Sequence, residues 1–142
     1  DVIYCILPSG RRISYHYPKL VVGKNRLNKD LDEYKIHFKR WNTNPQHGPR
    51  GWATSQTYGG RLAENSTQAV AAEILKYSIL TVETSPCYDV VLHTHDEIIA
   101  EVPEGESSIE EYENIVSQKA WWYKEWPVSV GGGWRGKRYR KE

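Results

Sequence analysis

Two apolar runs joined by a short polar turn constrain the fold of this chain more than any other feature. Residues 90–92 (Val-Val-Leu) and 98–100 (Ile-Ile-Ala) flank His95, Asp96 and Glu97. Apolar strands separated by so short a polar segment are typical of a β-hairpin. Carboxylate oxygens on a rigid turn are the ligands that Mg²⁺ prefers. The pattern therefore predicts an antiparallel hairpin with a metal-binding turn, and a solvated acidic turn is the alternative.

A long helical pattern precedes this hairpin and is expected to begin at Ser55 or Thr57 and end at Leu80. At 3.6 residues per turn, one stripe of this helix carries Arg61, Asn65 and Gln68, together with Ala72. The opposite stripe is expected to pack into a core; it holds Ala63, Val70, Ile74 and Tyr77. Guanidinium and amide donors suit phosphate oxygens and minor-groove acceptors. The polar stripe predicts a DNA contact, and a solvated helix face is the alternative.

The rest of the chain gives weaker signals. Residues 2–7 and 11–17 favour a hairpin, in which Pro8 presets the turn and Gly10 closes it. Residues 21–50 are polar, and we expect an irregular segment with one short strand at 34–40. Ser107 or Ser108 starts a capping box for a helix that ends near Gln118. Residues 127–130 favour a closing strand.

Together these elements predict an α+β fold with a long helix packed on an antiparallel sheet. We expect one domain over residues 1–142. Its parts are a hairpin and irregular basic segment (1–54), a region with the long helix, acidic hairpin, second helix and closing strand (55–130), and a basic tail (131–142). Ile109, Tyr112 and Val116 are expected to pack on the hairpin.

Charge is strongly segregated, although the chain carries a net charge of only +1. Residues 1–60 hold ten Lys/Arg against four Asp/Glu, residues 61–130 four against thirteen, and residues 131–142 five against one. Basic ends around an acidic middle suit a protein that contacts phosphate at its edges and metal at its centre. Ordinary surface charge that happens to cluster is the alternative.

Aromatic residues are concentrated near the end of the chain. Trp121, Trp122, Tyr123 and Trp126 are expected to form core or interface packing, and an exposed patch there would promote self-association. The tail interleaves Trp134 and Tyr139 with five basic residues: Arg135, Lys137, Arg138, Arg140 and Lys141. Stacking beside phosphate neutralisation is one interpretation of the tail, and a solvated terminus is the other.

Two further observations limit the class of protein. Cys5 and Cys87 form no CxxC spacing and suit a reducing cytosol. No apolar run approaches the length needed to span a bilayer. His93 and His95 form a His-x-His, which binds zinc in some metal-dependent peptidases. Those peptidases need an Asp as the third zinc ligand further along the chain, and no Asp follows Glu97.

The combined motifs resemble the C-terminal part of family A DNA polymerases, the DNA polymerase I type, in its phage branch. His95-Asp96-Glu97 is similar to motif C of the palm, and residues 101–103 (Glu-Val-Pro) follow it as in phage members. The helix with Arg61, Asn65 and Gln68 resembles the palm helix along the primer-template minor groove. Gln68 follows Asn65 by three residues rather than the four of bacterial members, so Arg61 and Asn65 carry a one-residue ambiguity. Residues 7–11 and 133–141 also resemble segments of these enzymes.

This resemblance implies a site and its partners. Asp96 would ligate catalytic Mg²⁺ with Glu97 in a supporting role, and His95 would lie near the primer terminus. Arg61, Asn65 and Gln68 would contact primer-template DNA, and deoxynucleoside triphosphates would be the substrates. The expected location is the cytoplasm of a bacterial or phage-infected host cell.

The resemblance also implies that this chain is a fragment that is inactive alone. The acidic residues before the long helix (Asp1, Asp30, Asp32 and Glu33) do not form the family's first palm motif, and no fingers helix precedes it. The absence of Met fits an excerpt as well. The remainder of the polymerase, with its upstream palm, fingers and thumb, is then a required partner. The alternative is a noncatalytic nucleic-acid-binding remnant of a prophage polymerase.

Overall fold

The computed structural model describes residues 1–25 and 27–139, and for His47 its backbone alone. Its helices and strands form an α+β fold, as the sequence predicts. The elements are β1 (Val2–Ile6), β2 (Arg12–Lys24), β3 (Asp32–Asn42), β4 (Gly51–Thr57), α1 (Gly59–Glu83), β5 (Asp89–Thr94), β6 (Glu97–Glu101) and α2 (Ile109–Val116). Short 3₁₀ turns form at Pro45–His47 and Trp121–Tyr123. The chain divides into two compact units, residues 1–70 and 71–142.

The first unit is built on a four-stranded antiparallel sheet in the order β1-β2-β3-β4. The first turn follows the prediction: the Gly10 amide donates to the Leu7 carbonyl at 2.8 Å, and Gly10 has a φ of 87°. Glycine adopts this left-handed conformation without a steric penalty, so the turn residue fits its place.

A β-bulge interrupts the pairing of β2 with β3. His16 pairs with Lys39, and the next aligned pair is Lys19 with His37. Tyr17 and Pro18 occupy the bulge, where Tyr17 has a φ of 49°. Proline is tolerated at a bulge because it need not donate a ladder hydrogen bond there. The strand therefore continues through a residue that ordinarily ends one.

The beginning of α1 packs on one face of this sheet. The Asn65 side chain donates to the Tyr15 hydroxyl at 3.3 Å, and the Cys5 thiol lies 3.5 Å from the Ser66 hydroxyl. Tyr15 is 5% exposed and meets the Phe38 ring edge-on, with 5.0 Å between centroids. Polar contacts thus mix with aromatic packing between helix and sheet.

The second unit has its own apolar core, formed by Val82, Tyr88 and Val116. The predicted packing of α2 on the hairpin is confirmed for Tyr112 and Val116: the Tyr112 hydroxyl donates to the Ile98 carbonyl at 3.1 Å, and Val116 belongs to the cluster on which Ile98 packs. Ile109 remains 40% exposed.

Hydrogen bonds from two serines stabilise both ends of α2. The Ser108 hydroxyl accepts from the Glu111 amide at 3.0 Å, which is the predicted N-cap. At the other end, the buried Ser78 hydroxyl donates to the Val116 carbonyl at 3.0 Å. The second helix is therefore capped at its start by its own sequence and at its end by α1.

The prediction of an irregular segment with one short strand at residues 21–50 is partly wrong. Half of these residues belong to β2 and β3, whose pairing extends from His16 with Lys39 to Lys24 with Asp32, and the predicted strand at 34–40 lies within β3. Lys24 and Asp32 also form an ion pair at 2.8 Å near the hairpin end. The prediction failed because the bulge breaks the alternation of the sequence and Pro18 resembles a stop.

Other boundaries also differ from the prediction. The long helix begins at Gly59, because Ser55 and Thr57 pair with Phe38 and Ile36 in the sheet, and it ends at Glu83 rather than Leu80. Helix α2 ends at Val116 rather than Gln118. Residues 127–130 form no strand; within them the Val128 amide only closes a turn to the Trp126 carbonyl.

The predicted core stripe of α1 is partly wrong. Ala63 is exposed, whereas Val70, Ile74 and Tyr77 are half-buried. The buried residues of the helix are Ser78 and Val82. At the beginning of α1, the covered side of the helix is the one that packs against polar groups of the sheet. Hydrophobic periodicity alone does not identify that side.

Candidate active site

The acidic hairpin has the predicted geometry. Thr94 pairs with Glu97, which leaves His95 and Asp96 as a two-residue loop. His95 has a φ of 54°, and a positive φ at the first loop position is the twist that tight hairpins require. Histidine is among the residues that enter this region more readily than most. The side chains of His95 and Asp96 are both exposed at the tip.

The two carboxylates of the hairpin have different surroundings. Glu97, the first residue of β6, is half-buried. Its Oε1 accepts from the Trp134 indole N–H at 3.5 Å, and its Oε2 accepts from the Tyr139 hydroxyl at 3.3 Å. Asp96 is therefore the exposed carboxylate at the tip, and Glu97 is the one held by neighbouring side chains.

The tail that supplies these donors follows a defined path across the second unit. The Gly133 amide donates to a Glu113 carboxylate oxygen at 2.8 Å, and the Arg135 guanidinium donates to the Ser107 carbonyl at 2.9 Å. A Cβ on residue 133 would lie 2.7 Å from the Ile109 side chain, so a larger residue here would force the side chains of α2 to shift. The tail docks on α2 before it reaches the hairpin.

Sequence reasoning missed this contact between tail and hairpin. Gly133 is a packing position on α2 rather than part of a free linker. The rings of Trp134 and Tyr139 lie 5.9 Å apart and their polar groups contact Glu97, and stacking of bases on them stays one of the two interpretations of the tail. Arg140 and Lys141, which belong to the predicted basic tail, lie outside the described residues.

Burial and the Glu97 carboxylate both raise the pKa of Tyr139. The phenol therefore stays protonated and remains a donor to Glu97. Deeper in the unit, burial raises the pKa of Tyr112 to about 12, with a smaller contribution from Tyr88. The Tyr88 and Tyr112 rings are tilted against each other, with centroids 5.2 Å apart.

The hairpin supplies only part of a magnesium site. Across residues 1–25 and 27–139, no group of three or more His, Cys, Asp or Glu side chains is arranged to hold a metal ion. Mg²⁺ takes six oxygen ligands and usually combines one or two carboxylates with water and substrate phosphates. Asp96 and Glu97 fit the carboxylate share of such a site. The zinc alternative gains no third ligand from the part of the chain that the structure describes.

The polar stripe of α1 lies in the first unit, and its members make local contacts. The Arg61 guanidinium donates to the Gln56 carbonyl at 3.1 Å and lies 5.6 Å above the centre of the Tyr58 ring. Gln68 donates to a Glu64 carboxylate oxygen at 3.3 Å. Arg61 and Gln68 are exposed, so each could exchange its local partner for a ligand.

Asn65 does not share the exposure of its neighbours on the stripe. It is half-buried, and its amide donates to Tyr15. The ideal stripe predicted all three side chains on one free face, but the sheet covers this part of the helix. The DNA-contacting role of the three residues stays a prediction.

The aromatic cluster near residue 121 combines core and surface. Tyr123 is 1% exposed. The Trp122 ring packs on Tyr123, with 4.6 Å between ring centroids, and on Trp126, with 6.0 Å between centroids. Trp121 is 81% exposed. The packing prediction holds for Tyr123 and Trp122, and self-association through Trp121 stays a prediction.

Comparisons with known proteins give one related sequence and no structural match. The chain is 30% identical over 131 residues to the DNA polymerase of Bacillus phage SP02. The matched region covers 92% of this chain and 18% of that polymerase. No family model and no solved structure matches. The similarity supports a relationship between nearly the whole chain and one part of a phage DNA polymerase.

Among the described residues, no helix is long and apolar enough to cross a membrane.

Proposed function

We propose that this chain is the C-terminal palm part of a phage-type family A DNA polymerase and is inactive alone. The observation that carries the proposal is the hairpin with His95 and Asp96 at its tip, in a chain related over 92% of its length to a phage DNA polymerase. An acidic turn on a rigid two-strand support suits phosphoryl transfer, because that chemistry depends on positioned charge rather than on a protein nucleophile.

Asp96 is the catalytic carboxylate in this proposal. It is exposed at the tip, where substrate phosphates and a second acidic segment can approach it. Asp96 would hold Mg²⁺ together with the substrate phosphates, and the ion would supply charge neutralisation on the nucleotide triphosphate and acidify the primer 3′-hydroxyl. Glu97, held by Trp134 and Tyr139, orients the strand and adds negative charge beside Asp96. His95 is next to Asp96 in the loop, which supports a role for it near the primer terminus.

The helix stripe binds the duplex in the same proposal. The exposed Arg61 and Gln68 donate to minor-groove acceptors, while Asn65 fixes the helix to the sheet through Tyr15. The acceptors N3 and O2 recur at every base pair, so such contacts reward correct base-pair geometry rather than sequence. Template-directed synthesis needs this kind of contact.

The catalytic half that this chain lacks belongs to the remainder of the polymerase. Two-metal transfer needs carboxylates from separate segments that hold ions about 3.5–4 Å apart. Asp96 and Glu97 are adjacent in one segment, so they cannot supply both sides. The partners of the chain are therefore the upstream palm, fingers and thumb, together with primer-template DNA and deoxynucleoside triphosphates.

Primer extension with and without the complementing part tests this proposal. The isolated chain is expected to incorporate no nucleotide, and the complete polymerase is expected to extend the primer with Mg²⁺. Gln68→Ala in the complete enzyme should raise the primer-template concentration needed for half-maximal rate. Gln118→Ala, which changes an exposed glutamine of the second unit, is the matched control. Extension by the isolated chain would contradict the division into two halves.

A noncatalytic nucleic-acid-binding remnant is the second candidate. The observation that favours it is the engagement of both Glu97 oxygens by the tail, since a carboxylate that already accepts two hydrogen bonds is a poorer metal ligand. If the complete gene product binds primer-template DNA but extends no primer with Mg²⁺ or Mn²⁺, the chain is a noncatalytic nucleic-acid-binding remnant.

A further inference from the structure

The four-stranded sheet of the first unit has a second face, opposite the one that meets α1. Cys5 and Tyr15 contact the helix, and strand alternation places their neighbours on the other side. The strand register then extends this outer face across all four strands. It includes Tyr4, Arg12, His16, Lys19, Lys35, His37, Lys39, Trp41, Trp52 and Thr54, together with the acidic Glu33 and the apolar Ile6 and Val21.

Aromatic rings on the outer face are exposed rather than packed into a core. Trp41 and Trp52 pair across β3 and β4, with ring centroids 5.8 Å apart and planes at 86°. They are 57% and 55% exposed. The His16 ring meets Trp52 at 5.7 Å and extends the aromatic row onto β2. Rings in this arrangement offer free surface on which planar groups can stack.

Positive charge is interleaved with these rings. The Arg12 guanidinium lies 5.5 Å from the centre of the Tyr4 ring. Lys39 donates to the Thr54 hydroxyl at 2.8 Å and lies beside the tryptophan pair, and Lys19 is exposed on β2. Glu33, an acidic residue of the same face, is neutralised by Lys35 at 3.3 Å. The face is therefore cationic as well as aromatic.

The bulge forms a groove in the middle of this face. The groove has a volume of about 510 Å³ and is lined by Tyr17, Lys19, His37, Phe38, Lys39, Trp52 and Thr54. Tyr17 is 60% exposed, and its φ of 49° is unusual for a bulky residue. Bulges re-aim side chains, and this one directs an aromatic ring towards the groove that Trp52 also lines.

We propose that the outer face binds single-stranded nucleic acid, with unpaired bases on Trp52, Trp41 and Tyr17 and phosphates on Lys19, Lys39 and Arg12. Bases stack on aromatic side chains irrespective of sequence, and basic residues between them neutralise the backbone. Duplex DNA does not fit this chemistry, because its bases are already stacked. The binding needs no catalytic carboxylate and goes beyond the proposed polymerase chemistry.

A protein partner fits the outer face less well, because the centres of protein interfaces are depleted in charge and in lysine particularly. The face towards α1 differs in composition. Leu20, Val22 and Tyr34 are exposed there, and the one lysine beside them, Lys24, is paired with Asp32 at 2.8 Å. That apolar end suits a protein contact, and the cationic outer face suits a polyanion.

Fluorescence anisotropy with labelled 15-nucleotide strands tests the proposal in the full 142-residue chain. The strands are oligo(dT) and oligo(rU), which separate DNA from RNA as the source of the ligand. Trp52→Ala is expected to weaken binding at least about fivefold, on the scale of one lost stacking contact. Trp121→Ala removes a tryptophan that is 81% exposed in the other unit and should leave the affinity unchanged.

A double variant reports on the phosphate contacts without changing a ring, and a conservative variant checks the contribution of the ring itself. The double variant Lys19→Gln/Lys39→Gln should reduce the slope of log K against log salt by about 1.4, at about 0.7 for each single-strand phosphate contact. Trp52→Leu keeps an apolar side chain and should weaken binding as Trp52→Ala does. Circular dichroism melting of each variant identifies any that fails to fold.

The outcomes separate this proposal from the polymerase proposal. Gln118→Ala, the control of the primer-extension assay, should bind the single strands as the wild type does. Equal affinity of Trp52→Leu, Trp121→Ala and wild type would overturn the outer-face site, whatever the polymerase assay gives. A preference for duplex over single strands at the same salt would overturn it too. If Trp52→Leu weakens binding in the isolated chain but not in the complete polymerase, the face is a protein contact and the proposal fails.

Discussion

The two compact units of this chain contrast in charge and in the surfaces they present. Residues 1–70 hold eleven Lys/Arg against five Asp/Glu, and residues 71–142 hold eight against thirteen. The first unit exposes aromatic rings and lysines on a broad sheet, whereas the second exposes a carboxylate on the tip of a narrow hairpin. The contrast separates two tasks, because phosphate attracts the first kind of surface and a divalent cation the second.

The units also contrast in how they are stabilised. The second unit closes around a continuous apolar cluster that includes Val82, Tyr88 and Val116. The first unit relies more on its hydrogen-bonded ladder, and many of its large apolar side chains are exposed: Ile6, Leu20, Val22, Leu31 and Tyr34 among them. Exposed apolar surface on this scale is typical of a part that other protein segments cover.

Truncation of one valine in each unit tests this contrast in stability, and the larger loss is expected in the second unit. Val82→Ala removes two methyl groups from a site with 0% exposure, so the free energy of unfolding should fall by about 2 kcal/mol. Val22→Ala, at a site 55% exposed in the first unit, should cost little. Urea unfolding followed by fluorescence measures both. A similar loss for the two variants would mean that the second unit holds no dominant core.

Alkaline pH tests the stability of the second unit through a smaller expected effect. The pKa of Tyr112 is raised to about 12, against about 10 in an unfolded chain. Stability from this group is therefore complete below about pH 10 and is lost as the pH rises towards 12, because the unfolded phenol ionises first. Tyr112→Phe should reduce the fall in stability across that range.

The same variant also loses the hydrogen bond to Ile98, worth about 1 kcal/mol at neutral pH. Urea titrations at pH 7, 10 and 11.5 separate the two contributions. Tyr34→Phe, which alters a tyrosine 65% exposed in the first unit, is the control. Identical pH profiles for wild type and Tyr112→Phe would show that the buried phenol does not couple ionisation to folding.

The parts of the fold that could be predicted from the sequence are those specified by residues close together in the chain. Apolar runs around a two-residue turn specified the hairpin from Asp89 to Glu101, and Ser108 marked the start of α2. Each depends on residues a few positions apart, so no tertiary contact had to be known. The long helix followed from its length and composition, although its first residue did not.

Non-local contacts decided the rest. Ser55 and Thr57 look like helix caps, but their pairing with β3 makes them strand residues. Tyr17 and Pro18 hide the strand that continues through them. Tyr139 and Glu97 are in contact although they lie 42 positions apart in the sequence, and sequence periodicity does not predict such a contact. The candidate site was therefore predicted at its acidic tip and missed at the tail that holds it.

Replacement of Asp96 in the complete polymerase tests the central claim most directly. Asp96→Asn keeps the size of the side chain and removes its charge, so primer extension should fall by at least about 100-fold, as on loss of one preorganised electrostatic group. Glu97→Gln should cost less, because the tail already engages that side chain. Asp89→Asn, an exposed carboxylate at the other end of β5, is the matched control and should extend normally. Unimpaired extension by Asp96→Asn would mean that the hairpin is only an acidic turn, and the proposed catalytic role would be wrong.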